Sequence, residues 1–170
     1  ETGELLLRGP SVMKGYHNQP EITSQVIDKD GWLHTGDIAN IDKDGHIFIT
    51  GRIKNMIVLS GGKKVFPEEV ESVLEKSPYI TEVCVLGTSR TFGAKDGTEE
   101  VTAVIYPEAS LFERFNSEEL NNFIRLEVKN LSLKLTGYKR PNNIIVVNEP
   151  LPKTTTRKVK RKDVKALISV

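Results

Sequence analysis

Two apolar runs, Ile38-Ala-Asn-Ile41 and His46-Ile-Phe-Ile-Thr50, stand on either side of Asp42-Lys-Asp-Gly45, and this arrangement constrains the early chain to a β-hairpin. Aspartate bonds its own backbone in turns and glycine takes positive φ without a Cβ clash, so Gly45 can close the loop while the β-branched runs pair. The neighbouring segments are of the same kind. Glu4 to Val12 reads as a strand, Asn18 to Val26 as a short helix with Pro20 at its first position, and Trp32-Leu33 leads into a Thr35-Gly36-Asp37 turn. Residues 1–50 are therefore mainly β.

After Lys54, Asn55 to Ser60 and Lys63 to Phe66 form a second hairpin joined by Gly61-Gly62 as a two-residue primed turn, and Pro67 opens a helix through Glu75. Ile80 to Gly87 and Glu100 to Tyr106 are strands that pair, separated by a polar loop, Thr88 to Thr98, in which Gly93 and Gly97 forbid regular structure. Ser117-Glu-Glu-Leu120 is an N-cap signature. It leads into a helix with Leu120, Phe123, Ile124, Leu131 and Leu135 at helical spacing, and Asn143 to Val147 is a third strand. The fold class is α+β: a β-rich start over 1–53, then a small domain over 54–170 with a β-hairpin and a three-stranded sheet packed by helices. No internal repeat or low-complexity segment interrupts the pattern.

A chain of 170 residues buries roughly 70% of the surface it exposes when unfolded, enough for one domain or two small ones. With 38% apolar and 28% charged residues and a net charge of +1, it has the composition of an ordinary globular protein, and no apolar run approaches the roughly 20 residues of a membrane span. The one cysteine, Cys84, sits in Val83-Cys-Val-Leu86 as a small hydrophobe in a strand, so disulfides play no part and a reducing cytoplasm is expected. Ten Lys or Arg residues lie between Lys134 and Lys165 against only Glu149 and Asp163. Such a field suits a solvated face, a nucleic-acid or membrane patch, or a funnel for a phosphorylated ligand; Tyr138 alone could stack a base there, which disfavours nucleic acid.

Four places in the sequence carry candidate chemistry. In Thr35-Gly36-Asp37 the ionised carboxylate can accept from both hydroxyls of a vicinal diol, or it can simply bond its own turn. Arg52, fifteen residues on and across a hairpin, adds a fixed guanidinium fork that leaves both readings open. Gly61-Gly62-Lys63-Lys64 lacks the spacing of a phosphate loop, and its glycines either close a hairpin or let a ligand approach the backbone. Lys158, ending Pro152-Lys-Thr-Thr-Thr-Arg-Lys158, is a flexible ammonium that could relieve charge at a phosphorus, or part of a basic tail. His17, His34 and His46 show no metal spacing, and no Ser/His/Asp order suggests a hydrolase.

In this order and at these distances, Gly31-Trp-Leu-His-Thr-Gly-Asp37, Gly51-Arg-Ile-Lys54, Ser60-Gly-Gly-Lys-Lys-Val-Phe-Pro-Glu-Glu-Val-Glu71 and the Lys158 segment resemble the adenylate-forming superfamily. The likeness is to acyl-CoA synthetases, which activate a carboxylic acid, in particular a fatty acid, as acyl-AMP and pass it to CoA. It implies ATP and magnesium as cofactors and CoA as acceptor. It assigns Asp37 and Arg52 to the ATP ribose, Lys54 to a hinge, Gly61 and Gly62 to the CoA side, and Lys158 to catalysis of adenylation. Arg157 stands where the family keeps glycine. The resemblance covers nearly the whole chain but about the last third of such an enzyme, and the chain opens without methionine, so a catalytically silent fragment is expected, with self-association through residues 1–50.

Two other readings stay open. An amino-acid adenylation domain would share these residues but hand its acyl group to a carrier protein; Leu59-Ser-Gly-Gly-Lys-Lys64 differs from the Arg-Gly-Phe/Tyr-Arg pattern it would carry. A non-enzymatic basic module would bind nucleic acid or an acidic protein with a steep salt dependence.

Overall fold

The structure, a computed structural model, describes residues 2–89 and 99–168. The polar loop expected over Thr88 to Thr98, with Gly93 and Gly97, lies largely outside the described residues. The chain divides into two compact units, Glu1–Asn55 and Met56–Val170.

The first unit contains β1 (Thr2–Leu7), α1 (Pro20–Val26), β2 (Leu33–Ile41) and β3 (Ile47–Arg52), with the strands in antiparallel order β1-β2-β3. Strand β1 stops at Leu7, short of the expected Val12, because Gly9 (φ 154) and Pro10 turn the chain and Val12 N–H bonds back to Gly9 C=O at 3.1 Å. Pro20 opens α1, where a missing N–H leaves no intrahelical bond unmade. The Thr35-Gly36-Asp37 turn is not a turn: it lies within β2, whose register against β1 slips between Glu4 and Leu6.

A repeat that the sequence reading passed over builds two turns of this unit. Ile27-Asp-Lys-Asp-Gly31 and Ile41-Asp-Lys-Asp-Gly45 fold alike. In each, the first aspartate Oδ1 accepts from the backbone N–H two and four residues on, at 3.0 and 2.9 Å for Asp28 and 2.9 and 2.9 Å for Asp42. The glycines sit at φ 80 and 84, where a Cβ would be strained. These bonds hold both carboxyls below their usual range, the Trp32 N–H being the main cause for Asp28 and the His46 N–H for Asp42.

The second unit begins with a short hairpin of β4 (Ile57–Val58) and β5 (Lys64–Val65). It continues through α2 (Pro67–Leu74), β6 (Ile80–Ser89), β7 (Glu99–Pro107), α3 (Leu111–Arg114), α4 (Ser117–Ser132), β8 (Asn143–Val146) and α5 (Arg161–Ile168). Strands β6 and β7 pair antiparallel and β8 joins β7 in parallel, which α4 makes possible as the crossover.

Both faces of this sheet are buried, so its strands are apolar at successive positions rather than at alternate ones. Val83, Val85, Val101, Ala103, Ile105 and Ile144 form one core with Val70 and Leu74 of α2 and Leu120, Ile124 and Val128 of α4. Cys84, Leu86 and Val104 point the other way and pack with Leu151 and Val164 of α5. Burial pushes the Cys84 thiol up to about 11 against the opposing pull of Arg161, as fits a strand hydrophobe rather than a nucleophile.

Helix α4 is capped one residue earlier than Ser117 suggests. Asn116 Oδ1 accepts from the Glu118 and Glu119 N–H groups, and the Glu119 carboxylate returns to the Asn116 N–H, a complete capping box. Leu135 belongs to the turn after the helix, where it is still buried. No helix among the described residues is long and apolar enough to cross a membrane.

Candidate functional site

Hairpin β2–β3 converts a separation of fifteen residues into a direct cross-strand pair, with Asp37 opposite Arg52. Arg52 Nε donates to Asp37 Oδ1 at 2.8 Å, the side chains being 51% and 19% exposed respectively. An accessible ion pair of this kind adds only about 0–1 kcal/mol to stability. Its interest is chemical: no other partner of the Asp37 carboxylate is found among the described residues, so Oδ2 can accept from a hydroxyl while Arg52 steadies Oδ1. The pair can thus receive a hydroxyl-bearing ligand.

The backbone under Asp37 is held by a residue that the sequence did not flag. Glu4 on β1 accepts from the Gly36 N–H with Oε1 at 3.0 Å and meets His34 Nδ1 with Oε2 at 3.1 Å. Thr35 Oγ1 donates to Leu5 C=O at 2.7 Å and accepts from the Asp37 N–H at 3.0 Å. A carboxylate and a hydroxyl therefore replace ladder bonds where β2 slips register and Gly36 takes φ 70. The Glu4 hydrogen bond, opposed by burial, raises the His34 pKa above its ordinary value, and the charges of Glu4 and Asp28 push the same way. Because the folded pKa is raised, any stability from this contact is present at acid pH and fades as pH rises through that value.

Lys54 is exposed and lies in a 3₁₀ turn, Ile53–Asn55, that ends the first unit. In the second unit, three residues, Ser60, Gly61 and Gly62, lie between Leu59 and Lys63 in the loop that joins β4 to β5, one more than the primed turn expected. The loop is closed by bonds from Leu59 N–H to Lys63 C=O at 2.9 Å and from Gly62 N–H to Leu59 C=O at 3.1 Å. Gly61 and Gly62 sit at φ 82 and 75, and a Cβ on either would meet nothing within 4 Å. Conformation, rather than crowding within this chain, accounts for both glycines, and their backbone stays open to a ligand.

Lys158 is exposed on a small hairpin loop whose stem is the Lys153–Val159 bridge. Thr154 N–H bonds Lys158 C=O at 2.8 Å, Lys158 N–H bonds Thr154 Oγ1 at 3.1 Å, and Arg157 N–H bonds Thr154 C=O at 2.9 Å. Arg157, in the position expected for glycine, keeps a left-handed backbone at φ 63. The loop therefore retains a glycine-like path despite the side chain. Left-handed backbone costs a residue with a Cβ about 1–2 kcal/mol, so Arg157→Gly should raise the melting temperature by roughly 2–8 °C in a chain of this size. Thermal denaturation followed by circular dichroism checks this, and an unchanged or lower midpoint would contradict it.

Behind the loop, Arg161 forks onto Glu71 with both terminal nitrogens at 2.5 Å, donates to Val85 C=O at 2.6 Å, and reaches Glu68 at 3.3 Å. Glu71 in turn accepts from the Val85 N–H at 2.7 Å. This ion pair covers the outward N–H and C=O of edge strand β6 at Val85, replacing a missing neighbour strand. Burial alone would lower the Arg161 pKa, but the Glu71 carboxylate outweighs it and the guanidinium stays charged.

His46, without metal spacing to the other histidines, is gathered with Asp42 and Asp44 so that one ligand atom from each lies within 4.8 Å of the others. Asp42 is already engaged by two backbone N–H groups and by His46 Nδ1 at 3.1 Å, and the group closes the β2–β3 turn.

Comparison with known proteins gives consistent matches. Residues 69–158 match the AMP-binding enzyme C-terminal domain. The chain is 36% identical to indoleacetate–CoA ligase from Aromatoleum aromaticum, over 99% of its own length and 30% of the relative's. It is 36% identical to 4-coumarate–CoA ligase from Vanilla planifolia, over 98% and 28%. The solved structure of O-succinylbenzoate coenzyme A synthetase from Bacillus subtilis in complex with AMP aligns with a TM-score of 0.71 at 30% identity, covering 97% of this chain and 30% of that one. The chain thus spans less than a third of the length of these proteins.

Proposed function

Since this chain belongs to the AMP-binding enzyme C-terminal domain family, we propose that it is the C-terminal portion of an ATP-dependent acid–CoA ligase, which activates a carboxylic acid as acyl-AMP and transfers the acyl group to CoA. The observation that carries the reading is the Asp37–Arg52 pair, a carboxylate with one oxygen steadied and one open to a diol. The relatives named above, all CoA ligases or synthetases, support CoA as acceptor over a carrier protein. All three are named for acids that carry an aromatic ring, so aromatic acids are the first class to test, with fatty acids as a second.

In this reading residues 1–53 complete the large nucleotide-binding domain and 54–170 form its mobile partner, with Lys54 as the hinge. Asp37 and Arg52 take the ribose, Lys158 the adenylation transition state, and Gly61 and Gly62 the CoA side. Magnesium accompanies ATP as a counter-charge on its phosphates. The one cysteine, Cys84, is buried and free, which supports a cytoplasmic setting. The test is pyrophosphate release from ATP and magnesium with a panel of aromatic and fatty acids. The intact enzyme should turn over with at least one acid and yield a thioester with CoA, and the 170-residue chain should release none; steady release by the chain alone would refute this division of labour.

Strand β3 supports self-association of the isolated chain. Ile47, Phe48 and Ile49 are consecutive, hence on both faces of the strand, and are 54%, 54% and 62% exposed. Light scattering should show concentration-dependent oligomers that Phe48→Glu and Ile49→Glu together abolish. A monomer at every concentration would contradict this.

A further inference from the structure

Glu82 binds the chain at the entrance to the Lys158 loop. From β6, seventy residues away, its Oε2 accepts from the Leu151 N–H at 2.8 Å and its Oε1 pairs with Lys153 Nζ at 2.5 Å. The carboxylate is well shielded, the Glu82 side chain being 10% exposed. Leu151 is buried in the α5-side core, and Lys153 is the first residue of the bridge that closes the loop, so both contacts fall on its stem. On the exit side, Lys160 N–H bonds Pro152 C=O at 2.8 Å and Arg161 is forked onto Glu71. The chain enters the loop under one carboxylate and leaves it under another.

A lysine that must place its ammonium on a phosphorus gains from a fixed stem and a free tip, because positional freedom at the base is lost as reaction rate. Among the described residues the tip of Lys158 has no partner, while its stem is tied on both sides. Resting on the reading of Lys158 given above, we propose that Glu82 is a positioning residue for adenylation, holding the Leu151–Lys153 stem so that Lys158 swings from a set point.

The test has two arms. In the 170-residue chain, amide exchange by NMR should show Glu82→Ala speeding exchange at Lys158 and Lys160 by on the order of tenfold, the loss expected for a charge-assisted contact, with Val104 and Ile105 unchanged. Lys153→Met, which keeps the Leu151 contact, should give a smaller effect in the same direction. In the intact enzyme, Glu82→Ala should lower the adenylation rate roughly tenfold with the KM for ATP and thioester formation from pre-made acyl-AMP unchanged. Loop exchange at the parent rate in both variants, or equal loss in both half-reactions, would overturn the proposal. If Lys158→Ala itself leaves adenylation intact, the functional reading has failed; if Lys158→Ala abolishes adenylation and Glu82→Ala does not slow it, only the positioning role has.

Discussion

Lys158→Ala in the intact enzyme should lower the rate of acyl-AMP formation by a factor on the order of 10² or more, the usual loss for one charge donor to a transition state. Attack of a carboxylate on the α-phosphate crowds negative charge on the pentavalent phosphorus, and an ammonium bonded to carboxylate and phosphate oxygens relieves it. Lys158 suits this role because its loop is internally bonded while its side chain is exposed to solvent. Thioester formation from pre-made acyl-AMP needs no such relief and should survive. Stopped-flow measurement of the two half-reactions separates them, and equal loss in both, or in neither, would remove Lys158 from the adenylation step.

Asp37→Ala should weaken ATP binding by roughly 1.5–3 kcal/mol, about 10- to 150-fold in affinity, if the carboxylate accepts from the ribose diol. The substitution also frees Arg52, whose Nε is held at 2.8 Å by Asp37. A second ligand isolates the hydroxyl contribution. The parent should prefer ATP strongly over 2′,3′-dideoxy-ATP, whereas Asp37→Ala should barely distinguish them. Retained discrimination in the variant would place the ribose elsewhere.

Much of the fold was legible because it rests on local rules. Pro20 and Pro67 start their helices as the sequence suggests, and Gly45 turns the hairpin that its neighbours demand. The runs around Cys84 and Val104 read as strands because a sheet covered on both faces needs apolar residues in succession. Local reading failed where distant groups decide the conformation. Thr35-Gly36-Asp37 looks like a turn, but Glu4 and Leu5 of β1 draw it into a strand. The α4 cap moved to Asn116 because a capping box is defined by the residue whose N–H the Glu119 carboxylate reaches, and the tetrad starting at Ser117 is one out of step. The Ile-Asp-Lys-Asp-Gly repeat was plain in the sequence, yet only its second copy sits between two obvious strands.

The candidate site divides in the same way. Asp37 and Arg52 could be paired from the hairpin that separates them, and the register places them opposite each other. Glu82, Glu71 and Arg161, which frame the Lys158 loop, gave no signal, because Glu82 and Arg161 lie 69 to 93 residues from the groups they bind and surface-type residues do not announce pairing. Arg157 shows a third case. The resemblance expects glycine at this position, and Arg157 at a left-handed φ of 63 takes the backbone conformation that glycine adopts most readily.

Oxygen transfer from the acid to the nucleotide tests the adenylation claim most directly. When a carboxylate oxygen attacks the α-phosphorus and the CoA thiol then displaces AMP from the acyl carbon, that oxygen leaves with AMP. The intact enzyme should be given an acid labelled with ¹⁸O in its carboxylate, together with unlabelled ATP, magnesium and CoA, and its nucleotide products examined by mass spectrometry. The account predicts AMP carrying one ¹⁸O for each thioester formed, with pyrophosphate as the other product. ADP, or AMP without label, would contradict it.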